Sequence, residues 1–118
     1  LEDYFIGTTE EVVYLLCLDA KGKILCCREV GRGSINAAGI SMRKIIETVL
    51  NTKASAVVLA HNHPSGLALP SGEDVRTTQK VASTLLPLGV TLADHLIFSE
   101  DDCVSLLASG LYDPRTVE

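Results

Sequence analysis

The chain has 118 residues and a mass of 12.6 kDa, which fits one domain of ordinary size. Hydrophobic residues make up 47% of the sequence and charged residues 21%, so the composition predicts a folded core and argues against disorder. The net charge is −5, and the ten basic residues are scattered, which argues against strong autonomous binding of nucleic acid. No stretch reaches the roughly 18 apolar residues that a membrane span needs.

The four cysteines include no Cys-x-x-Cys pair, which argues against a thiolate zinc site or a redox motif. We interpret Cys17, Cys26, Cys27 and Cys103 as small, buried hydrophobic residues. The acidic start lacks the basic-then-apolar pattern of a signal peptide, so we expect a cytoplasmic location. Because the sequence begins at Leu1, we expect it to be a piece of a longer protein.

The first half of the chain predicts a hairpin followed by a helix. Two runs rich in β-formers, residues 11–18 and 23–30, flank a turn that ends in glycine. Residues 31–39 contain three glycines and predict a loop. Ser41 can cap a helix over residues 42–51, because apolar residues recur there at three- and four-residue spacing.

The second half predicts a central strand, a second helix and two closing strands. Residues 55–60 are almost all apolar, which suits a strand covered on both faces. Ser71 opens a helix that ends before Pro87, and residues 90–98 and 103–108 predict strands.

The predicted order is β-β-α-β-α-β-β, which indicates an α/β fold with a mixed sheet and flanking helices. We expect the whole chain to form a single domain and its tail at residues 113–115 to be loose.

The segment that carries chemistry begins at the end of the central strand, where α/β sheets commonly place their sites. His61 and His63 are two residues apart, so in extended backbone their side chains share a face and can approach one cation. Asp74 lies in the first turn of the next helix, and its carboxylate can join them if the loop folds back. Two histidines and one carboxylate are typical of catalytic zinc, with a fourth position left for water.

Simpler interpretations of the same residues stay open. Ser71 and Asp74 also have the spacing of a helix-capping box, which is useful to any helix. An isolated His-x-His pattern is more often structural than metal-binding. The combination of two same-face histidines, a proline-containing loop and an acid at the helix start favours the metal site.

These residues carry a resemblance to a known family. The string HNHPSGLALPSGED resembles the JAMM motif, His-x-His-Pro-x6-Ser-x2-Asp, of the JAB/MPN+ metalloproteases. Its beginning is similar to the HNHPSG signature of the RadC-like bacterial branch, which the later string DHLI also resembles. The resemblance covers about residues 10–112 and implies a JAB/MPN-like, cytidine-deaminase-like sandwich. It also implies that the helical N-terminal segment usual in RadC-like proteins lies outside this sequence.

The resemblance implies a set of roles for the motif residues. His61, His63 and Asp74 match the family's ligands for one Zn²⁺ ion per chain. Zinc in such a site lowers the pKa of a bound water towards about 7. Ser71 matches the serine whose hydroxyl supports the oxyanion that forms when water attacks a carbonyl.

The family also uses a glutamate on its first strand as the general base. Glu11 matches that position best, because the apolar run of the strand follows it directly. Glu10 is the rival, since a slip of one residue reverses the facing of a strand.

The implied activity is zinc-dependent hydrolysis of a peptide or isopeptide bond, in a family historically labelled as DNA repair. The alternative is a DNA-repair-associated accessory or interaction domain that retains the metal site with little or no peptidase activity. We expect a polypeptide substrate and no membrane partner, and the strands at the sheet edges could pair two copies into a homodimer.

Four further polar residues have more than one interpretation. Asp94 and His95 lie on opposite faces of a late strand, and one of them could orient a ligand histidine, although a structural role is simpler. His95 as a metal ligand is a weaker alternative. Ser34 and Asn36 follow a glycine-rich turn and either line the groove beside the metal or belong to an ordinary loop.

Overall fold

A computed structural model of the chain describes residues 10–33, 39–64 and 67–118. Within these residues the strands are β1 Glu11–Leu18, β2 Ile24–Gly33, β3 Ala56–Asn62, β4 Thr91–Phe98 and β5 Cys103–Ser105. The helices are α1 Met42–Thr52 and α2 Gly72–Leu85, followed by short 3-10 turns at Leu86–Leu88 and Pro114–Thr116. The predicted order of elements and the α/β class are confirmed. In the described part of the chain, neither helix is long and apolar enough to cross a membrane.

The five strands form one mixed sheet in the order β2-β1-β3-β4-β5. β1 is antiparallel to both of its neighbours, β3 and β4 are parallel, and β5 is antiparallel to β4. β2, β3 and β4 therefore run in one direction, and α1 and α2 connect them while moving the same way across the sheet. Right-handed crossovers of this kind place both helices on the same face. Residues on both faces of β3 are buried or partly buried, among them Leu59 on one face and Ala60 on the other, as the composition of the strand predicted.

The β1–β2 turn is held by its own side chain. Asp19 Oδ1 accepts hydrogen bonds from the backbone N–H groups of Lys21 and Lys23 at 2.9 and 2.8 Å. Gly22 has a φ of +83°, a left-handed conformation that glycine adopts without steric cost. The predicted hairpin is confirmed.

β2 continues three residues beyond its predicted end, so the prediction of a loop from residue 31 was wrong. Gly31 pairs with Val13 of β1 and also bridges to Ile40. A Cβ atom at Gly31 would lie 2.7 Å from the carbonyl oxygen of Gly39. Gly31 allows two backbone segments to approach closely inside the sheet. From the sequence alone, such a glycine cannot be distinguished from a loop glycine. Ser34 and Asn36 lie outside the described residues.

Both helices begin where their capping residues predict. Ser41 Oγ accepts from the backbone N–H of Lys44 at 3.1 Å and starts α1. Lys53 follows the last helical residue as the C-cap and has a φ of 56°. Ser71 starts α2 with a complete capping box, so each helix start is set locally by a hydroxyl that accepts from an otherwise unpaired backbone N–H.

The C-terminal region differs from its prediction in two ways. β5 ends at Ser105 and not at residue 108, because Asp94 Oδ1 accepts from the backbone of Leu107 at 3.0 Å and turns the chain. The tail is not loose, since the buried Tyr112 donates its hydroxyl to the carbonyl oxygen of Leu92 at 2.5 Å. Asp113 then caps the 3-10 turn that follows.

The cysteines are less uniform than predicted. Cys17 is fully buried in the core, Cys26 and Cys27 are half-buried, and Cys103 is exposed. The prediction of burial was therefore wrong for Cys103, because the edge strand β5 leaves one of its sides to solvent.

Candidate metal centre

His61 and His63 lie at the C-terminal end of β3, beside the parallel strand β4. His61 is inside the strand, one residue beyond the predicted boundary, and is fully buried. His63 follows the strand, and its side chain is 14% exposed. The two ring centroids are 4.8 Å apart, which brings both imidazoles to one point as the spacing of two residues predicts.

Asp74 completes the group from the first turn of α2. Its Oδ1 lies 3.3 Å from His61 Nε2, and its Oδ2 lies 3.4 Å from His63 Nε2. One ligand atom from each of the three residues lies within 4.8 Å of the others. Ligand atoms that each sit about 2.0–2.2 Å from a tetrahedral zinc are separated by about 3.3–3.6 Å, so the arrangement is close to a zinc-binding geometry.

The helix start holds the Asp74 carboxylate in place. The backbone N–H of Ser71 donates to Asp74 Oδ2 at 2.7 Å, and the backbone N–H of Asp74 donates to Ser71 Oγ at 3.1 Å. The capping-box interpretation and the metal-site interpretation are therefore compatible, because Oδ1 is left to face His61. The N-terminus of α2 also favours a negative charge at this position.

An unpartnered nitrogen shows that the group fits a cation. His61 Nε2 is buried and has no hydrogen-bond partner in the described part of the chain, a state that costs about 1–3 kcal/mol for an ordinary polar atom. Burial lowers the pKa of His61 to about 4, even though the nearby Asp74 carboxylate works in the opposite direction. The imidazole is thus neutral, which is the form that binds metals.

His95 of β4 contacts the ring nitrogen of His61 that does not face Asp74. His95 Nε2 lies 2.6 Å from His61 Nδ1, and His95 Nδ1 lies 2.6 Å from Thr78 Oγ1. Burial lowers the pKa of His95 well below its usual value. Both of its ring nitrogens are engaged by side chains, so His95 lies outside the ligand group and contacts a ligand histidine. Asp94 holds the turn after β5 instead, where it accepts from Ser105.

The register of β1 distinguishes Glu11 from Glu10. Val13 pairs directly with His61, and Glu11 shares the face of Val13 because side chains alternate along a strand. Glu11 therefore lies on the face of the sheet that carries His61. Glu10 instead forms an ion pair with Arg32 at 2.6 Å. The role of Glu11 as general base stays a prediction.

Asn62, to which the sequence alone assigns no role, fixes the start of β1. Its Oδ1 accepts from the backbone of Val12 at 2.8 Å, and its Nδ2 donates to the carbonyl oxygen of Glu10 at 3.0 Å. The two bonds flank Glu11 and fix the position of its backbone relative to His61 and His63. Asn62 lies 50 residues from Val12 along the chain, so no local pattern could have revealed this contact.

A sheet that brings a His-x-His pair to an aspartate at a helix start defines a domain of the JAB type. Residues 1–111 match the family model described as RadC-like JAB domain. The chain belongs to this RadC-like family, as the motif resemblance predicts.

Several curated relatives carry names without an activity. The UPF0758 protein IL0240 of Idiomarina loihiensis is 42% identical over 101 residues, which are 86% of this chain and 45% of that protein. A UPF0758 protein of Shewanella pealeana is 38% identical over 87% of this chain and 46% of its own length. The UPF0758 protein Smlt0399 of Stenotrophomonas maltophilia is 38% identical over 92% of this chain and 46% of its own length. The chain spans slightly less than half the length of these relatives.

Proposed function

We propose that the domain is a zinc-dependent hydrolase that cleaves a peptide or isopeptide bond. The observation that carries this proposal is the convergence of His61 Nε2, His63 Nε2 and the Asp74 carboxylate, in which the buried His61 Nε2 has no hydrogen-bond partner among the described residues. Two nitrogen ligands and one carboxylate leave a coordination position for water or substrate, as catalytic zinc sites do. Membership of a JAB family supports the hydrolytic class.

The ligand residues divide the work of holding the ion. His61, His63 and Asp74 would bind it, and the burial of His61 and Asp74 would keep bulk water away from that side. When bound, zinc supplies a Lewis acid that polarises a carbonyl group and makes a water molecule more acidic.

Glu11 and Ser71 would handle the proton and the developing charge. The Glu11 carboxylate takes a proton from the water that attacks the carbonyl carbon, and then gives it to the amine when the C–N bond breaks. Ser71 Oγ already accepts from the backbone of Asp74, so its own O–H can be donated to the substrate oxygen. Donors placed where negative charge develops stabilise the transition state.

Metal analysis of the purified protein tests the site directly. We expect about one zinc per chain, removed by a strong chelator and restored by added zinc. The His63→Ala variant should lose at least 100-fold in zinc affinity and keep its fold, because His63 lies outside β3 and is partly exposed. Equal zinc binding by this variant and the wild type would contradict the ligand assignment.

Hydrolysis needs a separate test with a matched pair of variants. A mixture of quenched fluorogenic peptides, together with a lysine-linked isopeptide, provides the substrates. Glu11→Gln should lower the turnover rate at least 100-fold with zinc still bound, whereas Glu10→Gln should have little effect because Glu10 pairs with Arg32 at the surface. A zinc-loaded protein that cleaves none of these substrates would contradict the hydrolase and favour an accessory domain.

A further inference from the structure

We infer that Thr78 and His95 are positioning residues that fix which nitrogen of His61 carries its proton, and so keep Nε2 ready to bind the metal. The inference rests on the proposed metal site. It adds a buried hydrogen-bonded chain on α2 and β4 that orders one of the ligands before the ion arrives.

The hydrogen-bonded chain of side chains runs through the interior in three short contacts. Thr78 Oγ1 donates to the backbone carbonyl oxygen of Asp74 at 2.6 Å and lies 2.6 Å from His95 Nδ1. His95 Nε2 lies 2.6 Å from His61 Nδ1. All four residues are buried, so water does not supply alternative partners. Asp74 therefore anchors the chain with its backbone and faces His61 Nε2 with its carboxylate.

Counting protons gives the chain a single direction. A threonine hydroxyl has one hydrogen, and two oxygens 2.6 Å apart require it between them, as in the usual bond of a helical threonine to the carbonyl four residues before it. Thr78 Oγ1 is then an acceptor towards His95, so His95 Nδ1 carries a proton. Both rings are fully buried, which favours the neutral form with one N–H each.

The count continues from His95 to the metal site. With its proton on Nδ1, His95 offers only a lone pair at Nε2, and His61 Nδ1 must donate to it. The lone pair of His61 is then at Nε2, which is the buried atom without a hydrogen-bond partner. The reverse order would leave Thr78 Oγ1 and the carbonyl oxygen of Asp74, 2.6 Å apart, without a proton between them.

Thr78→Val tests the chain because it removes the hydroxyl and keeps the branched shape. Without the Thr78 hydroxyl as acceptor, the proton of His95 moves from Nδ1 to Nε2. His61 Nδ1 then accepts from His95, so the proton of His61 moves to Nε2, the nitrogen that would bind the metal. We expect zinc affinity to fall 10- to 100-fold, as is typical when a partner of a ligating histidine is lost. Thr78→Ser keeps a hydroxyl and should restore most of the affinity.

Thr77→Val is the matched control. Thr77 is the neighbouring residue of α2, and its Oγ1 is also buried but has no hydrogen-bond partner in the described residues. Its replacement should leave zinc affinity within twofold of the wild type. Equal affinity losses in Thr77→Val and Thr78→Val would show a general effect of altering α2 and would overturn the inference.

A spectroscopic readout needs no metal. Side-chain ¹H–¹⁵N correlation spectra of the chelator-treated protein should show His61 and His95 both protonated at Nδ1, and Thr78→Val should shift the proton of His61 towards Nε2. A wild-type His61 protonated at Nε2 would overturn the inference even if zinc binds. Absence of zinc binding with the expected spectra would instead contradict the proposed function alone.

Discussion

The two histidines of the candidate centre differ in what holds them. His61 belongs to a central strand, is fully buried, and has its second nitrogen fixed by the side chain of His95. His63 lies after the strand at the open side of the site, and its Nδ1 contacts only the carbonyl oxygen of the exposed Leu67, at 3.0 Å, among the contacts described. His61 is therefore surrounded by the packed interior of the sheet, whereas His63 contacts a loop. The comparison indicates that the strand side fixes the geometry of the site, whereas the loop side is partly open to solvent.

Replacing Asp74 should affect the contacts to both histidines and should cause the largest loss of zinc affinity. Asp74→Ala takes away the carboxylate that faces both histidines and also half of the capping box of α2. We expect a loss of at least 1,000-fold in zinc affinity and a loss of about 1 kcal/mol in the free energy of unfolding. Competition with a coloured chelator and urea denaturation measure the two quantities.

Asp74→Asn separates these effects. The amide oxygen can still accept from Ser71, so the free energy of unfolding should stay closer to that of the wild type. The negative charge is lost, so zinc affinity should still fall steeply. Retained affinity in both variants would exclude Asp74 as a ligand.

Acid should lower the free energy of unfolding of the metal-free protein through its buried histidines. Burial holds the pKa of His61 at about 4 and that of His95 well below its usual value, whereas both are near 6.5 in the unfolded chain. Between these limits the unfolded state binds more protons. The free energy of unfolding should therefore fall by about 1.4 kcal/mol per pH unit for each histidine as the pH drops below about 6.5.

Urea unfolding in the presence of chelator measures this slope. His61→Asn removes one of the two buried imidazoles, so its stability should depend less steeply on pH over the same range. Equal slopes in the two proteins would mean that His61 is not held neutral by burial.

The two serine caps compare a site helix with a remote helix. Ser71→Ala and Ser41→Ala each remove an N-cap bond and should each lower the free energy of unfolding by about 1 kcal/mol. Only Ser71→Ala should also lower the hydrolysis rate, by about 100-fold if its hydroxyl supports the oxyanion. Equal rates in the two variants would leave Ser71 as a cap alone.

The smallest effect is expected at the end of α1, away from both histidines. Lys53 holds a left-handed backbone conformation, which costs a residue with a Cβ atom about 1 kcal/mol. Lys53→Gly should raise the free energy of unfolding by about 0.5–1 kcal/mol and leave zinc affinity unchanged, because glycine relieves that strain. Lys53→Ala keeps the Cβ atom and should give no such gain in thermal or urea unfolding.

The sequence by itself determined the features that depend on neighbouring residues. Hydroxyl caps at Ser41 and Ser71 marked the helix starts, because a cap acts within one turn. The order of strands and helices followed from apolar runs and their spacing. The spacing of His61, His63 and Asp74 indicated the metal group, and the structure brings their ligand atoms together.

Tertiary contacts decided where several elements end. β2 continues through Gly31 because the backbone at Gly39 packs closely against it. β5 ends early because Asp94 binds the backbone of Leu107, and the tail is ordered because Tyr112 is buried. Each cause lies in a segment several residues or an entire element away, so a reading of local propensity assigns the wrong boundary.

Only the tertiary structure could select a partner for the ligand histidine. His61, Thr78 and His95 stand on β3, α2 and β4, and 17 residues separate Thr78 from His95 along the chain. The sequence offered Asp94 and His95 as equal candidates for this role. The parallel pairing of β3 with β4 sets Leu59 opposite His95 and so puts that ring on the face of His61, while the packing of α2 adds the hydroxyl that directs its proton.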